Sequence, residues 1–160
     1  MDRPANTQPP KILTKMKNFR YFELEEFIRS DTAKKKSIDN IPSFEVVEHL
    51  EQLVEQFLDP LRAAWGAPIR VTSGYRCPRL NTAVGGAATS VHMIGYAADL
   101  QSGKSFAPFR DFVVEWAWRT GVKFDQLLVE SDRRTGKQWI HIGLYSNSGA
   151  QRGQVKAMVK

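Results

Sequence analysis

The sequence predicts a single α+β domain built on a small, largely antiparallel sheet. Its 160 residues fit one domain. Apolar residues make up 42% of the chain and charged residues 25%, which is close to the globular average and argues against a disordered or fibrous protein. Segments with helical periodicity come first, and short alternating segments that are mostly neighbours along the chain follow, a pattern typical of the α+β class.

Two segments carry the apolar stripe of a helix packed on a core. The first covers residues 46–61, where Pro60 is expected to kink or end the helix. The second covers 105–117 and ends before a glycine. A short amphipathic helix is expected over 21–28, followed by a polar loop over 31–42.

Four short segments are predicted as strands. They span 68–73, 96–100, 124–130 and 138–144, and each is rich in apolar residues or alternates apolar with polar ones. The stretch 74–89 is rich in Gly, Pro, Asn and Ala, and so long a loop in a compact chain is often functional.

The two ends of the chain are predicted to lie outside the domain. Residues 1–18 show no periodicity and are expected to form a flexible N-terminal tail, and 146–160 a polar C-terminal tail, leaving 19–145 as the domain. No apolar window is long enough for a membrane span and the first 30 residues lack the apolar core of a secretory signal. We therefore expect a protein that does not insert into membranes and is cytoplasmic as synthesised.

The basic character of the chain is not specific for one partner. The formal net charge is +6, but the basic residues are scattered, and the densest run, Lys34 to Lys36, is typical of a solvated loop. Nucleic acid is therefore not predicted as a partner. The charge is equally suited to approaching anionic cell-wall polymers.

His141 lies in the last predicted strand, on the face opposite Ile140 and Ile142. If Thr135-Gly136 is the centre of a hairpin, Glu130 of the preceding strand pairs directly with His141, which would place a carboxylate beside the imidazole. A glycine bulge would shift this pairing, and an ordinary surface ion pair would have the same sequence pattern.

A second histidine and a carboxylate follow the Gly-rich loop. His92 emerges from the loop, and Asp99 lies at the end of a short strand, with Gly95 available for a tight turn between them. Two histidines and one aspartate are a plausible catalytic zinc set, because three protein ligands leave the fourth tetrahedral position for water. Cys77 is the only cysteine, so neither an intrachain disulfide nor a cysteine-only zinc site can form.

Five motifs stand out in the sequence: SGYRC at 73–77, LN at 80–81, VGG at 84–86, SVHMIGYAADL at 90–100 and WIHIGL at 139–144. Together they resemble the M15 zinc peptidases, especially their phage-endolysin-like branch. The resemblance extends from about residue 22 to 144 and implies that His92, Asp99 and His141 bind Zn²⁺. It also implies the fold of the D-alanyl-D-alanine peptidases and the hedgehog signalling domain, a small sheet with helices packed on one side.

The resemblance alone does not identify the catalytic base, because relatives place it at different positions. D-alanyl-D-alanine dipeptidases have a glutamate three residues before the final histidine, where this chain has Gln138, and an amide cannot accept a proton at neutral pH. Hedgehog-like relatives carry the glutamate in an F-D-x-x-x-x-E-S pattern, which residues 124–131 match with Glu130. Glu130 is therefore the predicted base, and Asp132 is the weaker alternative.

Two more residues are candidates for the substrate site. Arg76 in SGYR is suited to bind a substrate carboxylate or a developing oxyanion, because its planar guanidinium gives two charge-assisted bonds. The structural alternative is an arginine that orders its own loop. Ser90 is a candidate to hydrogen-bond substrate or to orient a metal ligand.

These observations predict an endolysin-like, zinc-dependent metallopeptidase that cleaves peptide bonds in bacterial peptidoglycan stem peptides as a monomer. The expected route to the cell wall is phage-type release through a membrane pore made by another protein. One alternative keeps the same site but makes the enzyme a D-alanyl-D-alanine carboxypeptidase. Another is a zinc-binding recognition module without catalysis.

Overall fold

The structure, a computed structural model, describes residues 19–160, so the predicted N-terminal tail over 1–18 lies outside the described residues. This part of the chain contains six α-helices, most of them before the second strand, and five strands. The helices are α1 (Leu24–Ile28), α2 (Asp31–Lys35), α3 (Phe44–Leu53), α4 (Asp59–Trp65), α5 (Pro78–Ala83) and α6 (Phe106–Thr120). The strands are β1 (Arg70–Ser73), β2 (Ala97–Gln101), β3 (Gln126–Ser131), β4 (Gln138–Gly143) and β5 (Gln154–Val159).

The five strands form one sheet in the order β1-β2-β4-β3-β5. Neighbouring strands are antiparallel except for β3 and β5, which are parallel. This arrangement confirms the predicted α+β fold with a mainly antiparallel sheet.

The predicted long helix is a nearly continuous helical rod. After α3, a π-helical turn (Val54–Leu58) leads into α4, and the N–H of Asp59 donates to the carbonyl of Val54 five residues earlier. Pro60 lies in the first turn of α4, where a missing N–H is tolerated. Pro60 therefore coincides with a local change in helical winding and does not end the rod.

Two segments predicted as loops contain short helices. In the 31–42 segment, α2 begins because the hydroxyl of Ser30 accepts the N–H of Ala33, which is buried. In the 74–89 segment, Pro78 begins α5, which buries Leu80. Both helices are a single turn or little more, too short for an apolar periodicity to reveal them.

The structure differs from the prediction at the C-terminus, because the segment 146–160 is not only a tail. β5 pairs with β3 along its whole length, from Gln126 opposite Gln154 to Ser131 opposite Val159. As an edge strand it is largely exposed, with Val155 50% and Val159 61% accessible, so its sequence lacks the alternation of a half-buried strand.

The predicted hairpin register is wrong by two residues. Leu128 lies opposite His141, and Glu130 lies opposite Trp139. The turn is longer than predicted because the carboxylate of Asp132 accepts the N–H groups of residues 134 and 135, and Gly136 closes the loop with φ +72°. A shift of two keeps every side chain on its face, so Glu130 still shares the face of His141.

The helices and the sheet bury one main core. Ile140 and Ile142 of β4 and Leu127 of β3 are fully buried in it together with residues of α3, α4 and α6. The opposite face of the same strands carries His141 and Glu130, as the alternation of β4 predicted. No helix within residues 19–160 is both long enough and apolar enough to cross a membrane.

Candidate active site

A cleft of about 420 Å³ lies on the sheet face that is turned away from the core. Strands β2, β3, β4 and β5 contribute to it, together with the loop before β2 and the segment between β4 and β5. Its polar and charged lining includes all of the residues predicted for the site, namely Arg76, Ser90, His92, Asp99, Glu130 and His141.

A 3₁₀ turn (Val91–Ile94) holds His92 at the cleft. The N–H at Nδ1 of His92 donates to the carbonyl of Gly74 at 2.7 Å, which leaves Nε2 with a free lone pair directed toward the cleft. Gly95 ends the turn with φ +84°, and a Cβ there would lie 2.7 Å from the carbonyl oxygen of Val46. Gly95 is thus required both by its backbone conformation and by the close approach of α3.

Strand pairing brings Asp99 and His141 together. The two residues lie directly opposite each other on β2 and β4. The carboxylate oxygen Oδ1 of Asp99 is 3.0 Å from Nδ1 of His141. Paired residues of an antiparallel ladder share a face, so their positions are fixed by the register of the sheet.

The donor atoms of the three residues surround one point. Nε2 of His92 lies 3.2 Å from Nδ1 of His141 and 3.3 Å from Oδ1 of Asp99. A tetrahedral zinc with bonds of about 2.0 to 2.1 Å separates its ligand atoms by about 3.3 Å. Two imidazole nitrogens and one carboxylate oxygen at these spacings therefore fit a zinc ion with three protein ligands.

The electrostatics of the three residues favour a cation between them. Burial opposes ionisation of Asp99 most strongly, but the two imidazoles outweigh it and hold the pKa of this carboxyl below its usual range. Burial is also the main cause of the lowered pKa of His92, which Asp99 only partly opposes. An ionised carboxylate and a neutral imidazole are the protonation states that a metal ligand needs.

Glu130 lies on β3, on the same side of the sheet as the metal-ligand candidates. Its pairing with Trp139 makes it a diagonal neighbour of His141, at a typical separation of about 7 Å between such positions. Its side chain is only 3% exposed. This offset leaves more room between carboxylate and imidazole than the direct pairing predicted from the hairpin would have left.

Arg76 lines the cleft and also orders its loop. Its guanidinium donates from Nε to Asn81, from Nη1 to Ser73 and from Nη2 to Ser90, at 3.1 to 3.3 Å. Burial lowers its pKa, while the charges of Asp99 and Glu130 act in the opposite direction. These hydrogen bonds are the ones expected of an arginine that orders its own loop. They hold the guanidinium in the cleft that Asp99 and Glu130 also line.

Ser90 forms hydrogen bonds with other residues of the site. Its hydroxyl oxygen accepts the N–H of His92 and a guanidinium N–H of Arg76, so it joins the start of the 3₁₀ turn to the arginine. It also lines the cleft. Asp132 is occupied by the hairpin turn and does not line the cleft, and Cys77 packs beside the small cluster of Ala33, Ile38 and Leu80.

Three features of the site region are not among the predictions made from the sequence. Lys160 of the segment expected to be a tail lines the cleft beside Glu130. Arg152 makes a two-point ion pair with buried Asp125 at 2.8 and 2.9 Å on the cleft wall. Only Asp125 carried a sequence signal, as part of the F-D pattern.

His49 of α3 is the third of these features. The ring is stacked on Tyr96 at 3.9 Å between centroids, and Nδ1 donates to the carbonyl of Ile94 at 2.6 Å. These two contacts of His49 connect α3 to the 3₁₀ turn that contains His92 and to the residue after Gly95. The periodicity of a sequence cannot predict contacts such as those of His49 with Ile94 and Tyr96, because these residues are far apart along the chain.

Comparison with known proteins identifies one family. The family model described as Peptidase M15 matches residues 20–142, which include all six residues predicted for the site. No curated protein sequence matches the chain at the significance required. The matched range ends before β5, so β5 and Lys160, which follows it, lie beyond this range.

Proposed function

The chain belongs to the M15 peptidase family, and on that premise we propose that it is a zinc-dependent metallopeptidase that cleaves peptide bonds in bacterial peptidoglycan stem peptides. The observation that carries the proposal is the spacing of the three donor atoms of His92, Asp99 and His141, between 3.0 and 3.3 Å. A buried donor set of this composition beside an additional carboxylate matches the chemical needs of metal-assisted hydrolysis.

Zinc held by these three residues would lower the pKa of a coordinated water toward about 7 and polarise the peptide carbonyl. Glu130 is the group that accepts the proton of the attacking water, because it is the carboxylate on the cleft that is not part of the donor set or of the Asp125 ion pair. Glu130 then returns a proton to the leaving amine, as a general base becomes a general acid.

Arg76 supplies a fixed positive group for the substrate. Its three hydrogen bonds to Ser73, Asn81 and Ser90 hold the guanidinium in one orientation at the cleft. A preorganised cation stabilises a developing oxyanion without reorganising during the reaction. The same group would bind a carboxylate of the stem peptide.

Carboxypeptidase activity on a terminal D-alanyl-D-alanine is the second candidate. Arg76 lines the cleft and is suited to bind a free terminal carboxylate, whereas Arg152 and Lys160 on the same cleft pair with Asp125 and Glu130. Whether the substrate is cut within the stem peptide or at its end determines which products form.

We also propose an endolysin-like role, in which the protein reaches the cell wall after phage-type release. The net charge of +6 supports attraction to anionic wall polymers. Under this proposal the substrate is polymeric peptidoglycan and not a soluble dipeptide.

Mass spectrometry of purified peptidoglycan after incubation with the protein tests the proposal. We expect stem-peptide fragments that carry a new amino terminus, formed by the wild type and not by Glu130→Gln at equal concentration. Release of single D-alanine alone would instead establish the carboxypeptidase. Unchanged peptidoglycan with zinc-loaded, folded protein would refute both activities and leave the recognition module.

A further inference from the structure

Lys160, which directly follows β5, reaches into the cleft. The backbone of Lys160 is fixed on both sides: its N–H donates to the carbonyl of Ser131, and its carbonyl accepts the N–H of Arg133, each at 2.8 Å. The side chain extends over the ring of Trp139, with the ammonium 6.0 Å from the ring centroid. The parallel pairing of β5 with β3 therefore determines where this cation lies.

The ammonium of Lys160 meets the proposed base. Nζ lies 2.9 Å from Oε2 of Glu130, whose side chain is 3% exposed, whereas the side chain of Lys160 is 58% exposed. Oε2 is buried and has no hydrogen-bond partner of good geometry among the described residues, so Lys160 is its nearest partner of opposite charge. One end of this ion pair is thus inaccessible to water and the other is exposed.

A buried carboxylate needs such a partner. An ionised carboxylate removed from water is costly unless a charge or hydrogen bonds compensate for it. Arg76 interacts with Glu130 electrostatically, but its three directed hydrogen bonds go to Ser73, Asn81 and Ser90. Lys160 is the cation in ion-pair contact, and by engaging Oε2 it leaves Oε1 to accept a proton.

We propose that Lys160 is a positioning residue that holds the carboxylate of Glu130 in the orientation needed for proton transfer. The inference rests on the proposed function, since it assumes that Glu130 is the base. It also assigns to β5 the purpose of placing Lys160 beside Glu130, and both β5 and Lys160 lie outside the range matched by the family model.

The test compares steady-state kinetics of zinc-loaded variants, with activity normalised to folded protein. Lys160→Met keeps the length of the side chain but removes the charge, and we expect kcat to fall about 10- to 100-fold with KM little changed, by analogy with the loss seen when an outer partner of a metal ligand is removed. Lys160→Arg should restore most of kcat, because it returns a cation. Lys156→Met in β5 is the matched control and should match the wild type, since Lys156 does not line the cleft.

A second comparison separates positioning from a general effect on structure. In the Glu130→Gln background, Lys160→Met should cause no further loss of kcat, because the residue that it positions is already inactive. Zinc content and melting temperature should stay close to the parent values in every variant. Should Lys160→Met fail to fold, Lys160→Gln takes its place in both backgrounds.

Wild-type kcat in Lys160→Met, a change in KM alone, or an equal loss in the Glu130→Gln background would overturn the inference. These results leave the proposed function standing as long as Glu130→Gln itself is inactive. If Glu130→Gln retains wild-type turnover, the proposed base is wrong and the role of Lys160 is wrong with it.

Discussion

Glu130→Gln is expected to keep the fold and the metal while losing about 100- to 10,000-fold in kcat, the usual contribution of general acid–base catalysis. The amide preserves the size of the buried side chain but cannot accept the proton of the attacking water. The fold should survive because Glu130 faces the cleft and the fully buried residues Leu127 and Ile140 form the core beneath it. Turnover on peptidoglycan, zinc content and melting temperature should be measured on the same preparation.

Two further variants serve as controls for Glu130→Gln. Glu115→Gln makes the same chemical change at an exposed site on α6 and should behave as the wild type. Asp132→Asn tests the alternative base and should retain activity, because Asp132 is engaged in the hairpin turn. An active Glu130→Gln together with an inactive Asp132→Asn would show that the base has been assigned to the wrong carboxylate.

Asp99→Asn is expected to lower zinc affinity by at least about 100-fold and to abolish turnover at limiting zinc. Loss of an outer partner of a metal ligand already costs about 10- to 100-fold in affinity or activity, so neutralising a ligand itself should cost more. The reason is local: Asp99 supplies the one negative charge among the three donor atoms. Zinc titration monitored by calorimetry measures the change.

The control for Asp99→Asn is Asp111→Asn, an equivalent change on the exposed surface of α6. It should bind zinc as the wild type does. Unaltered zinc affinity in Asp99→Asn would remove this residue from the ligand set, and the pairing of β2 with β4 would then have a purely structural role.

Short-range patterns predicted the central features of the site. Alternation along β4 was enough to put Ile140 and Ile142 in the core and His141 on the opposite face, because the side chains of a strand alternate without regard to the rest of the fold. The motif around His92 and Asp99 identified the other members of the donor set. The structure adds the distances, which depend on strand pairing between distant parts of the chain.

Three features could not be predicted from the sequence, each for a different physical reason. The hairpin register was wrong because Asp132 accepts two backbone N–H groups and lengthens the turn, a local hydrogen-bond choice that Thr135-Gly136 did not reveal. β5 was missed because an exposed edge strand needs no apolar alternation. The ion pair of Lys160 with Glu130 depends on both strands and so could not be predicted without them.

The most direct test of the account is the zinc content of the purified, chelator-treated protein after it is reloaded with zinc and desalted. Elemental analysis should give one zinc per chain, because His92, Asp99 and His141 form the single donor cluster found within residues 19–160. A triple variant with alanine at these positions should bind none. A wild type that takes up no zinc, or a triple variant that retains the full amount, would contradict the account.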